Sequence, residues 1–328
     1  MTLSSSFQPA WWLPGGHLQT LAAKYLHPAS PVARHTEWLP LPDGDELELC
    51  WSEPLAADYQ GPLVLLLHGL AGNQHSHYLQ GMFATFKHLN WPVVLMHFRG
   101  CGSRPNRLPR AYHSGDTADL GYLITQLLKR HPKIQLQAVG FSLGGNVLMK
   151  YCGEQQQENP LSAAVAVCAP LALASSARRI NQGFSKLYQR YLLRQLKAST
   201  LQKLSRFSQF PIALDSQQLK KIRSIEAFDN SYTAPIHGFR DAADYYQQAS
   251  GKAYLARIAI PSLIIHAADD PFLATDVVPT AAELSPCIQY ELSPSGGHVG
   301  FITGHNPLRP RFWLNERIPQ FFQQVMKR

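Results

Sequence analysis

A mainly parallel β-sheet with helices packed on both faces is the α/β architecture that this sequence predicts, and three observations carry the prediction. Apolar runs recur along the chain, at Leu63–Leu67, Val93–Phe98, Ala163–Ala169 and Ser262–His266 without alternation, and at Ile134–Val139 with Gln135 and Gln137 interspersed. Such runs suit strands buried on both faces. Stretches of helical period separate them, and a strand–helix rhythm of this kind builds a parallel sheet covered on both sides. The chain of 328 residues with 45% hydrophobic content is long enough for one large core or for one core with an insertion.

Each element follows from local chemistry. Residues 1–60 are proline-rich and irregular, apart from a strand pair at Arg34–Leu41 and Glu46–Ser52 joined by Pro42-Asp43-Gly44-Asp45. Leu63–Leu67 is a buried strand that ends in His68-Gly69-Leu70-Ala71-Gly72, and a helix follows over Tyr78–Leu89. Val93–Phe98 is the next strand and ends in Arg99-Gly100-Cys101-Gly102-Ser103. From Asp116 to Lys129, the residues Leu120, Leu123, Ile124, Leu127 and Leu128 share one helical face. Ala163–Ala169 is a strand closed by Pro170. Residues 171–250 break the rhythm with helical, basic sequence and read as an inserted cap or lid, which leaves 1–170 and 251–328 as the core. The rhythm resumes with Ser262–His266, a helix over Asp276–Leu284, a strand at Ile288–Leu292 and a terminal helix over Arg311–Met326.

Composition narrows the function. No stretch approaches the roughly 20 uninterrupted apolar residues of a membrane helix. Met1–Trp12 has neither a basic nor a long apolar leader region, and the five cysteines are scattered without a Cys-x-x-Cys pair. A cytoplasmic protein with reduced thiols is expected, with no metal or organic cofactor. The formal charge is +8, yet eleven basic residues lie between Arg178 and Arg223 against Asp215 alone, so this segment carries +10 and the rest about −2. It reads either as a solvated helical face or as a peripheral contact for an anionic membrane. A nucleic-acid partner is not expected, because no reader motif accompanies the charge.

The chemistry centres on Gly140-Phe141-Ser142-Leu143-Gly144, set between a strand and a helix beginning at Gly145-Asn146-Val147. This turn presents a serine hydroxyl at the end of a sheet, and its glycines sit where side chains would strike neighbouring backbone. A serine hydroxyl is a weak nucleophile at neutral pH and needs a base that is itself oriented. The candidate base is His298, in a glycine-rich loop after the last strand. The candidate acid is Asp269 or Asp270, directly after Leu263–His266 at the carboxyl end of a strand. The order Ser, Asp, His completes the set. The developing oxyanion calls for backbone donors, and Leu143 N–H and Leu70 N–H hold the expected places. His68, His113 and His266 read as structural, and Cys101 as inert.

With those residues in view, the chain resembles the α/β-hydrolase superfamily, and within it the YheT-type esterases, which are related to the mammalian abhydrolase-domain lipases. The resemblance covers nearly the whole chain. It includes Trp12-Leu13-Pro14-Gly15-Gly16-His17-Leu18-Gln19-Thr20, Phe98-Arg99-Gly100-Cys101-Gly102, Tyr112-His113-Ser114-Gly115-Asp116, Ala268-Asp269-Asp270-Pro271-Phe272 and Gly296-Gly297-His298-Val299-Gly300-Phe301. It implies a carboxylic-ester hydrolase with Ser142, Asp270 and His298 as its triad, acting on a small-molecule ester or acyl lipid. A lipase, thioesterase or acyltransferase would use the same residues, and a non-catalytic binding protein could retain the scaffold. Phe184, Leu187, Tyr188, Tyr191 and Leu192 of the expected cap either line an acyl site or pack as an ordinary helix.

Overall fold

The computed structural model describes residues 2–28 and 34–327. Its centre is a nine-stranded sheet. The strands in chain order are β1 (Thr2–Ser4), β2 (His35–Pro40), β3 (Glu46–Trp51), β4 (Pro62–Leu67), β5 (Val93–Met96), β6 (Gln135–Phe141), β7 (Ala163–Val167), β8 (Ser262–Ala267) and β9 (Ile288–Ser293). Across the sheet they run β1-β9-β8-β7-β6-β4-β5-β3-β2. Every neighbouring pair is parallel except those that β3 makes with β2 and β5. The Pro42–Asp45 turn forces that reversal, because so short a connection can join only antiparallel strands.

The unalternating apolar runs are explained by the two faces of the sheet. Along β4, Leu63, Leu65 and Leu67 enter one core, while Val64 and Leu66 enter the other. The first core is closed by α3 (Ala118–Arg130) and α4 (Leu143–Gln155), through Leu120, Leu123, Leu127, Val147 and Leu148. The second is closed by α2 (His77–His88) and the last helix, Leu314–Met326, through Met82, Phe83, Phe86, Ile318 and Phe322. Each such fully buried side chain contributes on the order of 2 kcal/mol, so burial on both faces pins the strand order.

Two expectations need correction. No helix spans Asp276–Leu284; two 3₁₀ turns, Thr275–Val277 and Ala281–Glu283, stand there instead. Pro279 is the reason. It holds Val278 extended and lacks the N–H a continuous helix needs, so Thr280 starts a new turn with Glu283 in a capping box. The opening segment is also more ordered than its prolines suggest, for it contains β1 and a helix, α1 (Gly16–Leu26). Between 171 and 250 the regular structure is helical throughout. It includes α5 (Leu173–Ile180) and α6 (Ser185–Arg206), a π turn at Asp229–Thr233, and an apolar cluster of its own around Leu193, Leu219, Phe228 and Tyr232.

Parallel registration places the strand ends that matter in one line. Leu67 of β4 lies opposite Gly140 of β6, Phe141 opposite Val167 of β7, and Ala267 of β8 opposite Ser293 of β9. The loops that leave these ends carry Leu70, Ser142, Cys168, Asp270 and His298.

Candidate active site

Ser142 sits between β6 and α4 with φ 50° and ψ −119°, a left-handed position that a non-glycine residue adopts only under constraint. Its N–H donates to Val167 O at 2.8 Å, and its carbonyl accepts from Gly145 and Asn146 N–H. A side chain at 140 would run into the backbone of Gly144, and one at 144 into the carbonyls of Leu67 and His68. The turn is therefore as tight as the glycines imply, and it aims the Ser142 hydroxyl out of the sheet end.

His298 meets that hydroxyl. Its Nε2 lies 3.0 Å from Ser142 Oγ, and its Nδ1 lies 2.8 Å from Asp270 Oδ2. The Asp270 side chain is fully buried, and its other oxygen accepts the Phe272 N–H at 2.8 Å. Asp270 Oδ2 accepts a hydrogen bond from Nδ1–H, which leaves Nε2 as the acceptor for the serine O–H; this tautomer follows from the hydrogen-bond network. Asp269 points elsewhere, with Oδ1 accepting the Gly297 N–H at 2.9 Å. The aspartate pair thus divides its work: Asp270 faces the imidazole and Asp269 braces the loop that carries it.

The loop after β4 lies against the same point. His68 is fully buried; its Nδ1–H donates to Gly69 O at 2.7 Å and its Nε2 accepts from Phe98 N–H at 3.0 Å. Burial pushes its pKa down to about 3, so it stays neutral and structural. The N–H of Gly69 is taken by the Tyr78 hydroxyl and that of Ala71 by the Tyr112 hydroxyl. Between them, the Leu70 N–H has no acceptor among the described residues. The Leu143 N–H, in the first turn of α4, is likewise free of the helix ladder. Gly69 touches Ser142: a β-carbon on it would stand 3.3 Å from the serine Cβ.

Cys168, after β7, also has a positive φ of 50°. Its sulfur accepts the Val299 N–H at 3.3 Å. The ligand-capable atoms of Cys168, Asp270 and His298 lie within 4.8 Å of one another. Burial holds the thiol well above its ordinary pKa, and the charge of Asp270 pushes the same way. A thiol kept protonated is a poor metal ligand and a poor nucleophile. Cys101 is half-buried, and desolvation pushes its thiol up to about 12. His266 is buried between the Tyr290 hydroxyl and Ala169 O and pushed down to about 4, and His113 is pushed down to about 3.

The N-terminal segment contributes residues that spacing alone does not reveal. The His298 N–H donates to Thr20 Oγ1 at 2.8 Å, and the Thr20 hydroxyl donates to Gly16 O at 2.6 Å. The fully buried Gln19 pairs with both backbone groups of Ile302, at 2.7 and 3.1 Å. The α1 segment therefore clamps the histidine loop from outside the sheet. Phe272 stacks on the His298 ring at 4.0 Å, and Tyr188 of α6 packs on Phe272 at 5.0 Å. The sole sequence signal for the clamp was the likeness of His17-Leu18-Gln19-Thr20 to a known family.

Comparison with known proteins bears on the family and the fold. Residues 62–305 match the family model described as alpha/beta hydrolase fold. Escherichia coli YheT, an esterase by name, is 42% identical over 325 residues, which cover 99% of this chain and 95% of that protein. Phospholipase ABHD3 of Mus musculus is 27% identical over 99% of this chain and 80% of its own length. Among solved structures, the Pyrococcus furiosus esterase Pf2001 superposes with a TM-score of 0.58 at 14% identity, over 90% of this chain and 92% of that one, which speaks for the fold alone. A glycine-flanked serine at the end of a parallel sheet, read with a family match across most of the chain and near-full-length similarity to YheT, makes this protein a member of the alpha/beta hydrolase fold family, in its YheT-type branch.

Proposed function

We propose that this chain is a carboxylic-ester hydrolase that works through Ser142, His298 and Asp270 and an acyl-enzyme intermediate. The observation that carries the reading is the unbroken relay from Ser142 Oγ to His298 Nε2 at 3.0 Å and from Nδ1 to Asp270 at 2.8 Å. Ser142 Oγ attacks the ester carbonyl while Nε2 takes its proton. Asp270 keeps the ring in the required tautomer and stabilises the imidazolium. The N–H groups of Leu70 and Leu143 receive the oxyanion. The imidazolium then protonates the leaving alkoxide, and water, deprotonated by the same nitrogen, releases the acid. Phe272 shields one face of the imidazole from water. The substrate class is a small-molecule ester or acyl lipid, a choice favoured by the phospholipase among the relatives.

Residues 171–250 serve in this reading as a cap inserted in the core. In support, the two ends of the segment meet: Lys252 N–H donates to Leu171 O at 3.0 Å and Leu173 N–H to Ser250 Oγ at 3.1 Å. Asn146, next to the nucleophile turn, holds the return point through Ala249 O and Gly251 N–H, both at 2.8 Å.

The test is direct. Ser142→Ala is expected to lower kcat for a soluble ester by about 10⁴-fold or more and to abolish labelling by a fluorophosphonate. A variant that hydrolyses esters at the wild-type rate removes Ser142 from the mechanism.

A further inference from the structure

Beside the candidate site, two helices leave matching apolar rows in solvent. On α1 the row is Leu18, Leu21 and Tyr25; on α6 and the residue before it, the row is Phe184, Leu187 and Tyr191. Both follow the spacing i, i+3, i+7, so each forms a single stripe. Tyr25 is 76% exposed, Phe184 51% and Leu187 50%. Single exposed apolar side chains are ordinary, whereas two aligned stripes form a patch that marks an interaction site.

The stripes are held side by side. His17 packs on Phe184 with ring centres 4.7 Å apart and reaches the Tyr188 hydroxyl at 3.1 Å. Two turns further on, Lys24 Nζ stands 4.7 Å above the Tyr191 ring. Around the stripes project Lys24, Lys186, Arg190 and Arg194, all exposed, and neither helix contains a carboxylate. Tyr188 then leads through Phe272 to His298, so the patch borders the serine–histidine pair.

Apolar rows rimmed by cations and free of acid match one kind of partner: a lipid surface with anionic headgroups. The rows enter the headgroup layer while the cations meet its phosphates. We propose that the joint face of α1 and α6 docks this protein on an anionic lipid surface. Docking there would set the candidate site against an ester drawn from that surface; this second half rests on the hydrolase reading, and the docking does not.

Co-sedimentation tests the proposal on Ser142→Ala protein, which separates binding from turnover. Vesicles of phosphatidylcholine alone are compared with vesicles that also contain phosphatidylglycerol. At low salt the protein is expected to pellet with the anionic vesicles and several-fold less with the neutral ones, and added salt is expected to release it. The double variants Arg190→Glu/Arg194→Glu and Leu21→Gln/Tyr25→Gln are each expected to weaken binding by about tenfold. In the Ser142 background of the wild type, both should keep their melting temperature and their rate on a short soluble ester. Absence of pelleting at low salt, equal binding to both vesicles, or binding that neither variant weakens overturns the proposal. So does a dimer in sedimentation velocity that both variants dissociate and that vesicles leave intact, for the face would then belong to a second copy. Failure of the hydrolase reading would look different: no ester turned over by wild type, with vesicle binding intact.

Discussion

Ser142, Asp270 and His298 come from three strand ends separated by up to 156 residues of chain, and their mutual distances are those of ordinary hydrogen bonds. At this scale the sequence disclosed the residue types and their order, because a glycine-flanked serine after an apolar run has few other uses. It left two neighbouring aspartates open on spacing alone, since consecutive loop residues face different ways only once the loop is folded. Their environments now differ: Asp270 is bonded to the imidazole, and Asp269 to the Gly297 N–H. Asp270→Asn is therefore expected to lower kcat by about 10³- to 10⁴-fold, while Asp269→Asn, whose amide oxygen can still accept from Gly297, should stay within about tenfold of wild type. Similar losses for both would sink the division of roles. Thr20 makes a subtler case. Thr20→Val keeps the shape but removes the acceptor of the His298 N–H, so the imidazole loses its brace. The expected outcome is a kcat about 10- to 100-fold lower with KM little changed, restored by Thr20→Ser. An unchanged kcat would make Thr20 merely a packing residue.

At the scale of elements, strands were legible and the irregular helices were not. Buried strands advertise themselves as continuous apolar runs. The Gly16–Leu26 helix buries little and leaves Leu18, Leu21 and Tyr25 in solvent, so its pattern does not mark an inward face. The segment at Asp276–Leu284 failed for the opposite reason: its spacing looks helical, but Pro279 splits it. The π turn Asp229–Thr233 was invisible too, and it carries a titratable group. Asp229 is buried and accepts from the Tyr246 hydroxyl at 2.6 Å and the Thr233 hydroxyl at 2.7 Å, yet desolvation pushes its pKa up to about 6 from an ordinary 3.8. Between those two values the folded state holds more protons than the unfolded one, so this group's contribution to stability falls as pH rises through that window. Asp229→Asn removes the titration. The stability difference between variant and wild type should therefore shift in the variant's favour from pH 4 to pH 7, by up to about 3 kcal/mol. Parallel stability curves in a urea titration across that range would contradict it.

Over the whole molecule, a buried ion network joins segments far apart in the chain. The buried guanidinium of Arg99, after β5, pairs with Asp43 at 2.8 Å and Asp45 at 3.0 Å in the β2–β3 turn, and with Asp119 of α3 at 2.6 Å. Asn106 extends the network from Asp45 to Lys203 of α6, which also donates to Leu108 O and Arg110 O. Arg99→Met would strand Asp45 and Asp119 without their cation, and is expected to cost about 3–5 kcal/mol in denaturant unfolding. A loss below about 1 kcal/mol would show that the carboxylates find other partners. The charge of the chain is equally a whole-molecule property. Its concentration in Arg178–Arg223 was countable from composition, but its position beside the apolar rows of α1 was not. What the sequence by itself determined is the sheet, its buried strands and the kinds of side chain at their carboxyl ends, because burial on two faces and a tight glycine turn leave a local signature. What only the tertiary structure decided is which aspartate faces His298, that Thr20 and Gln19 hold its loop, and that α1 lies against α6. Asp270 and His298 stand 28 positions apart, and the contacts of α1 join residues 171 to 283 positions apart along the chain; no local period encodes them, and only the packed strands bring them within a hydrogen bond's length.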